Sequence, residues 1–176
     1  TSNNQATGLL PIIADVQETI TPIEGSWNVY FDPRWGGPGK VVFDELIDWT
    51  VHADTGIRYY SGTAVYHKEL NLAIPAQNER LLPRLGSLAR VWVNGKEVVT
   101  VWCSPWEADI TSYVHEGKNN LKIEVVNSLM NRMIGDASLP ESERFTYAYP
   151  QIATPTDKLV PSGIMEQLNL VYRQCQ

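Results

Sequence analysis

Apolar and polar residues alternate with a period of two along much of this chain, and each such stretch predicts a strand with one face turned inward. Ser26–Phe31 places Trp27, Val29 and Phe31 on one face. Ser61–Leu70 is the longest alternating run, with Gly62, Ala64 and Tyr66 together. Lys40–Asp44 and Leu81–Leu85 read as further strands, and a last one falls between Gly163 and Tyr172. The densest pattern is Ala89-Arg-Val-Trp-Val-Asn94-Gly95-Lys-Glu-Val98. Asn-Gly tolerates positive φ at both central positions of a type I′ turn, so this segment predicts a two-residue hairpin. That pairing sets Val93 opposite Lys96, Val91 opposite Val98 and Ala89 opposite Thr100, with Arg90, Trp92, Glu97 and Val99 on the other face. Leu121, Ile123 and Val125 alternate with Lys122 and Glu124 to give another half-buried strand.

Helical periodicity is nearly absent. Glu45–Trp49 reads as a short helical turn, Leu139–Arg144 as a polar turn or a single helical turn, and Ser128–Asp136 has no clean period. Asp32–Gly39, rich in Gly and Pro, is a loop, and Pro150, Pro155 and Pro161 space out a long loop region. About eight or nine short strands with frequent turn signals predict an all-β antiparallel β-sandwich. Residues 1–22 read as an irregular N-terminal arm, and residues 23–176 as one domain. A chain of 176 residues that is 43% hydrophobic suffices for one core. Trp27 and Trp102 are assigned to it.

Charge and composition remove several function classes. The formal charge is −6 and Lys and Arg are scattered, so no surface for nucleic acid is expected. No apolar run approaches the roughly 18 residues that span a bilayer. The first residues are polar, without a signal-peptide core, and the absence of an initiator Met suggests a fragment or a processed chain. Cys103 and Cys175 read as small hydrophobes or as a disulfide pair.

Catalytic constellations are missing. Glu141 and Glu143 form the one conspicuous carboxylate pair, but two residues apart in a polar turn they read as solvated, not as an acid and base across a cleft. His52, His67 and His115 sit on different predicted elements without metal-ligand spacing. There is no Gly-x-Ser-x-Gly elbow, and Gly36-Gly37-Pro38-Gly39 lacks the Lys-Ser/Thr ending of a phosphate loop.

Aromatic platforms offer different chemistry, because a pyranose stacks its C–H face on an indole while flanking polar groups bind its hydroxyls. Trp35, Trp49, Trp106 and Tyr59-Tyr60 are the candidates, with core packing as the alternative for each. Asn127, Asn131, Arg132 and Asp136 supply amide, guanidinium and carboxylate groups just past a strand end, which suits a hydroxyl-reading patch. The alternative is a self-satisfied loop in which Arg132 and Asp136 form an internal salt bridge. The residues alone leave both open.

Taken together, Gly25-Ser-Trp27, Tyr60-Ser-Gly62-Thr-Ala-Val-Tyr66, Ala89–Gly95, Trp102, Pro105-Trp106-Glu-Ala-Asp109-Ile-Thr111 and Gly117–Asn127 resemble, in that order, a known domain. It is the sugar-binding, or jelly-roll, domain of glycoside hydrolase family 2 and its relatives, including the β-sandwich of family 106 α-L-rhamnosidases. Asn131-Arg132-Met-Ile-Gly135-Asp136 and the stretch from Thr154-Pro155 to Gly163 resemble the rhamnosidase-like branch. The resemblance implies a galactose-binding-domain-like jelly roll, non-catalytic in itself, attached to a barrel that carries the catalytic acid and base. Its partners would be carbohydrate or that catalytic domain, and its location periplasmic or extracellular. Hydroxyl contacts would come from Asn127, Asn131, Arg132 and Asp136, and stacking from Trp35, Trp49 or Trp106. No cofactor is expected. Such modules often hold a structural calcium, but the spacing of Asp32, Asp44 and Asp136 matches no calcium loop.

Overall fold

The alternating stretches form strands, and the strands segregate into two antiparallel layers. The computed structural model describes residues 17–76, 79–85, 88–148 and 152–174; Pro150 and Cys175 lie outside them. The strands are β1 (Glu18–Pro22), β2 (Trp27–Phe31), β3 (Gly39–Phe43), β4 (Thr63–Leu72), β5 (Glu79–Arg84), β6 (Ala89–Val93), β7 (Lys96–Val101), β8 (Gly117–Val126) and β9 (Asn169–Gln174). Six of them form one sheet in the order β3-β2-β4-β8-β6-β7, and the other three form a sheet ordered β1-β9-β5. The fold is an all-β sandwich of the galactose-binding-like kind. Two short helices, α1 (Thr55–Arg58) and α2 (Met130–Asp136), lie in its loops.

Burial follows the pleat. In β2 Trp27, Val29 and Phe31 are buried while Asn28 and Tyr30 are exposed, and in β8 Leu121, Ile123 and Val125 face the same core. Leu81 of β5 and Leu170 of β9 meet them from the smaller sheet. That sheet is also tied by charge: Glu107, whose side chain is nearly buried, lies 2.7 Å from Arg84 and 2.9 Å from Arg173, and Arg173 also reaches Glu18. Glu18–Pro22, read from sequence as the end of an irregular arm, pairs with β9 as a strand.

A loop layer covers part of the six-stranded sheet where no strand lies over it. The segment from Asp44 to Ser61 carries Trp49, Ile57 and Tyr60 into the core. The Trp49 ring meets Phe31 edge-on at 5.2 Å and lies parallel to Tyr66, to whose hydroxyl its Nε1 donates at 2.7 Å. Burial pushes the Tyr66 phenol far above its usual pKa. The helical turn expected at Glu45–Trp49 begins instead at Trp49, as a 3-10 turn over Trp49–Val51 capped by Asp48.

Three further sequence expectations change. The Asn94-Gly95 turn forms with φ of 51° and 79° and Val93 opposite Lys96, but a bulge follows, so Val91 faces Val99 and Ala89 faces Val101. One extra residue in a strand reverses every later side chain. Thr100 is therefore exposed and Val101 buried, and Trp102, expected in the core, is 72% exposed. The aperiodic Ser128–Asp136 contains α2, because the buried side of this helix carries Asn131, Arg132 and Asp136 beside Ile134 and Gly135, not an apolar stripe.

Gly163, at φ 89°, lets the backbone run against the Trp49 indole, where an added Cβ would overlap Nε1 and Cδ1. Gly163→Ala is expected to lower unfolding free energy by about 2 to 4 kcal/mol, from overpacking plus backbone strain. Gly117, at φ 86°, has open space around it, so Gly117→Ala should cost only strain, about 1 kcal/mol. Equal losses in urea denaturation would remove Trp49 from the explanation.

Candidate functional site

The loop-rich end of the sandwich collects the polar residues singled out in the sequence. The loop after β2, the α1 segment, and the run from Asn127 through Thr146 all leave or enter strands at this end. Side chain to backbone bonds hold the loops together. Asn127 Nδ2 donates to the Tyr60 carbonyl at 2.8 Å and to Ser162 Oγ at 3.1 Å, and its Oδ1 accepts from Gly62 N at 2.9 Å. Asn131 Nδ2 donates to the Val160 carbonyl at 2.7 Å and to Ser162 Oγ at 3.0 Å, while its Oδ1 accepts from Val160 N at 2.8 Å. Both amides are committed at each end. They pin the Val160–Ser162 loop, and neither is placed to read a sugar hydroxyl.

Asp136 is committed in the same way. Its Oδ2 accepts from Phe145 N, Thr146 N and Thr146 Oγ1, at 3.1, 2.7 and 2.6 Å. Its Oδ1 lies 2.9 Å from Arg132 Nε as an ion pair one helical turn apart, off the line of an N–H···O bond. Of the two readings of this pair, the internal salt bridge is the arrangement found. Arg132 N donates to Ser61 Oγ at 3.0 Å, joining α2 to the segment just before β4.

Arg132 differs from its neighbours. Its guanidinium carbon lies 4.9 Å from the Phe145 ring centroid and 6.0 Å from that of Tyr59. The side chain is only 5% exposed, yet it lines a cleft of about 330 Å3 with Gly36, Thr55, Gly56, Tyr59, Gly135, Ser138, Leu139 and Phe145. Among the described residues neither Nη1 nor Nη2 donates to a protein acceptor. An added Cβ on Gly135 would crowd Arg132 Nη2 at 2.7 Å, so α2 passes directly against the guanidinium.

The tryptophans separate. Trp35, 43% exposed, ends the 3-10 turn Pro33–Trp35, beside the cleft residue Gly36. Trp49 is fully buried, so its faces are closed to a sugar, and Tyr60 is buried with its hydroxyl bound to Asp32 N and the Thr63 carbonyl. Trp106, at φ 59°, packs against the core, and its carbonyl accepts from Leu85 N next to β5. It is not among the cleft residues. Phe145 and Ser138 escaped the sequence reading, because Asp136 recruits Phe145 by a bond to a backbone N–H, which any residue type would offer.

Metal ligands do not gather: among the described residues no three of His, Cys, Asp and Glu come together. Asp32 is held by Arg34 at 2.6 Å, and Asp136 by Arg132. Cys103 is free and exposed. Glu141 and Glu143 lie exposed in a 3-10 turn. No helix among the described residues is long and apolar enough to cross a membrane.

Comparison with known proteins places these features. The profile described as "Glycosyl hydrolases family 2, sugar binding domain" matches residues 13–173. A Formosa agariphila protein named "Putative beta-glucuronidase" is 41% identical over 123 residues, covering 67% of this chain and 11% of its own length. The solved structure of a rhamnosidase from Novosphingobium sp. PP1Y superposes with a TM-score of 0.83 at 30% identity, over 89% of this chain and 15% of that one. A β-glucuronidase from Ruminococcus gnavus shares the fold at TM-score 0.61 and 22% identity, over 93% of this chain and 30% of its own. The chain thus spans a minor share of each relative.

Asn131→Ala would strand the Val160 N–H and carbonyl, so a loss of about 2 to 3 kcal/mol in unfolding free energy is expected, with faster amide exchange at Val160. Exposed Ser142→Ala should change stability by less than about 0.5 kcal/mol. Parity of the two variants in denaturant titration would show that the amide does not pin the loop.

Proposed function

This chain belongs to the family of sugar-binding domains of family 2 glycosyl hydrolases, and on that premise we propose that it serves a larger glycoside hydrolase as a non-catalytic accessory domain that recognises carbohydrate at its loop-rich end. The observation that carries the reading is the Arg132 cleft. It joins an aromatic wall to guanidinium donors uncommitted among the described residues, the combination of apolar face and few convergent polar groups that a pyranose needs. Tyr59 and Phe145 supply the apolar surfaces, and Arg132, Thr55 and Ser138 the polar ones. Asn127, Asn131 and Asp136 act one step back by holding the loops and the guanidinium in place.

The chain spans 11% of the Formosa relative and 15% of the Novosphingobium one, which supports chemistry performed elsewhere in a larger parent enzyme. The names of the Formosa and Novosphingobium relatives, a putative β-glucuronidase and a rhamnosidase, support a parent that cleaves glycosides of uronic acids or rhamnose; polysaccharide breakdown in the periplasm or outside the cell is the setting we propose for it. A second reading rests on Trp102. An indole 72% exposed, with Leu88 and Val126 also open to solvent, suits a surface packed against the catalytic domain, and the domain would then act as a buttress.

A glycan panel containing rhamnose, galactose and glucuronic acid units tests the choice at millimolar concentration. Ligand occupying the cleft well above its dissociation constant must raise the melting temperature. Unchanged values across the panel would leave the buttress reading alone. Aryl glycosides should not be turned over by this chain, and turnover lost on Glu141→Gln or Glu143→Gln would reverse the non-catalytic assignment.

A further inference from the structure

A guanidinium whose forked end meets no acceptor is an incomplete recognition element. Among the described residues Arg132 is the one charged residue lining the cleft, and no carboxylate shares the lining with it. Asp136, the counter-ion behind it, engages Nε through Oδ1 and spends Oδ2 on Phe145 and Thr146. The two terminal nitrogens keep their donors. Tyr59 and Phe145 hold the guanidinium carbon between their rings, and with 5% exposure the side chain is fixed before any ligand arrives. A preorganised planar fork loses little conformational freedom on binding and matches a planar two-oxygen acceptor.

We propose that this cleft takes the carboxylate of an acidic pyranose, a uronic acid unit, on Arg132 Nη1 and Nη2, with the sugar ring lying along Phe145 and Tyr59. The inference rests on the carbohydrate reading above and adds the ligand class. A volume of about 330 Å3 admits a single monosaccharide, near the lower end of small-ligand sites at roughly 300 Å3. Thr55 and Ser138 are also lining residues, and their hydroxyls are the candidate partners for the ring's own hydroxyls. A sulfated sugar offers the same charge and can also meet the fork with two oxygens, so the titration includes one.

The test titrates the chain with methyl β-D-glucuronide, methyl β-D-glucoside and glucose 6-sulfate, following backbone amides and arginine Nε–H groups by NMR. The glucuronide is expected to bind at least about tenfold more tightly than the glucoside, to weaken with added salt, and to shift Arg132 Nε with the amides of Gly36, Gly135 and Phe145. Arg132→Lys keeps a cation beside Asp136 without the fork, and should bring the glucuronide-to-glucoside affinity ratio down to about one. If that variant fails to fold, the wild-type shifts still decide. Equal affinity for glucuronide and glucoside, tighter binding of the sulfate, or shifts confined to residues away from the cleft would overturn the inference and leave the carbohydrate reading standing. Binding of none of the three would also overturn the inference, and the rhamnose and galactose arms of the glycan panel would then decide the carbohydrate reading.

Discussion

A loop layer over a β-sheet must find partners for its backbone groups, and that constraint organises this molecule. Where strands cover a sheet, ladders supply the hydrogen bonds; where loops do, side chains must. Here the Val160–Ser162 segment is met from three sides. Asn131 takes both the N–H and the carbonyl of Val160. Asn127 and Asn131 share the Ser162 hydroxyl, and Asp48 accepts from Ser162 N while the Ser162 carbonyl accepts from Trp49 N. Trp49 then enters the core at a fixed point, with Tyr66 bonded to its indole nitrogen and Gly163 passing beside its ring. Remove the amides and the indole loses its seat.

The same economy defines the site. Polar residues at a loop cluster invite a binding interpretation, yet Asn127 and Asn131 are bonded to loop backbone and Asp136 is buried behind Arg132. Their work is internal. Arg132 is the residue that internal bonding does not exhaust, because a guanidinium carries five donors and Asp136 reaches only Nε. Aromatic walls then keep its forked end aimed at the cleft instead of at solvent. The rigidity needed for binding and the stability of the loop layer have one source.

How far the chain could be read in advance depended on whether a feature was local. The hairpin turn at Asn94-Gly95 and the alternating cores of β2, β4 and β8 follow from φ preferences and a period of two, and both appear as read. The bulge after that hairpin carries no residue signature, and it alone turned Trp102 from the core to the surface. α2 was invisible for a different reason: its buried side is polar, so burial left no apolar rhythm. Trp35 and Trp49, indistinguishable in sequence as loop indoles, part company because one caps a surface turn and the other is roofed by the Val160–Ser162 segment.

Family membership and the sandwich were therefore determined by the sequence itself, through strand periodicity, turn chemistry and the order of its motifs. Only tertiary structure decided which polar groups remained available. Hydrogen-bond satisfaction is a property of contacts between residues 29 to 114 positions apart, such as Asn131 with Val160 and Asp48 with Ser162. No local pattern encodes such contacts, so no reading of the chain alone could separate the spent amides of this loop cluster from Arg132, whose terminal donors meet no acceptor among the described residues.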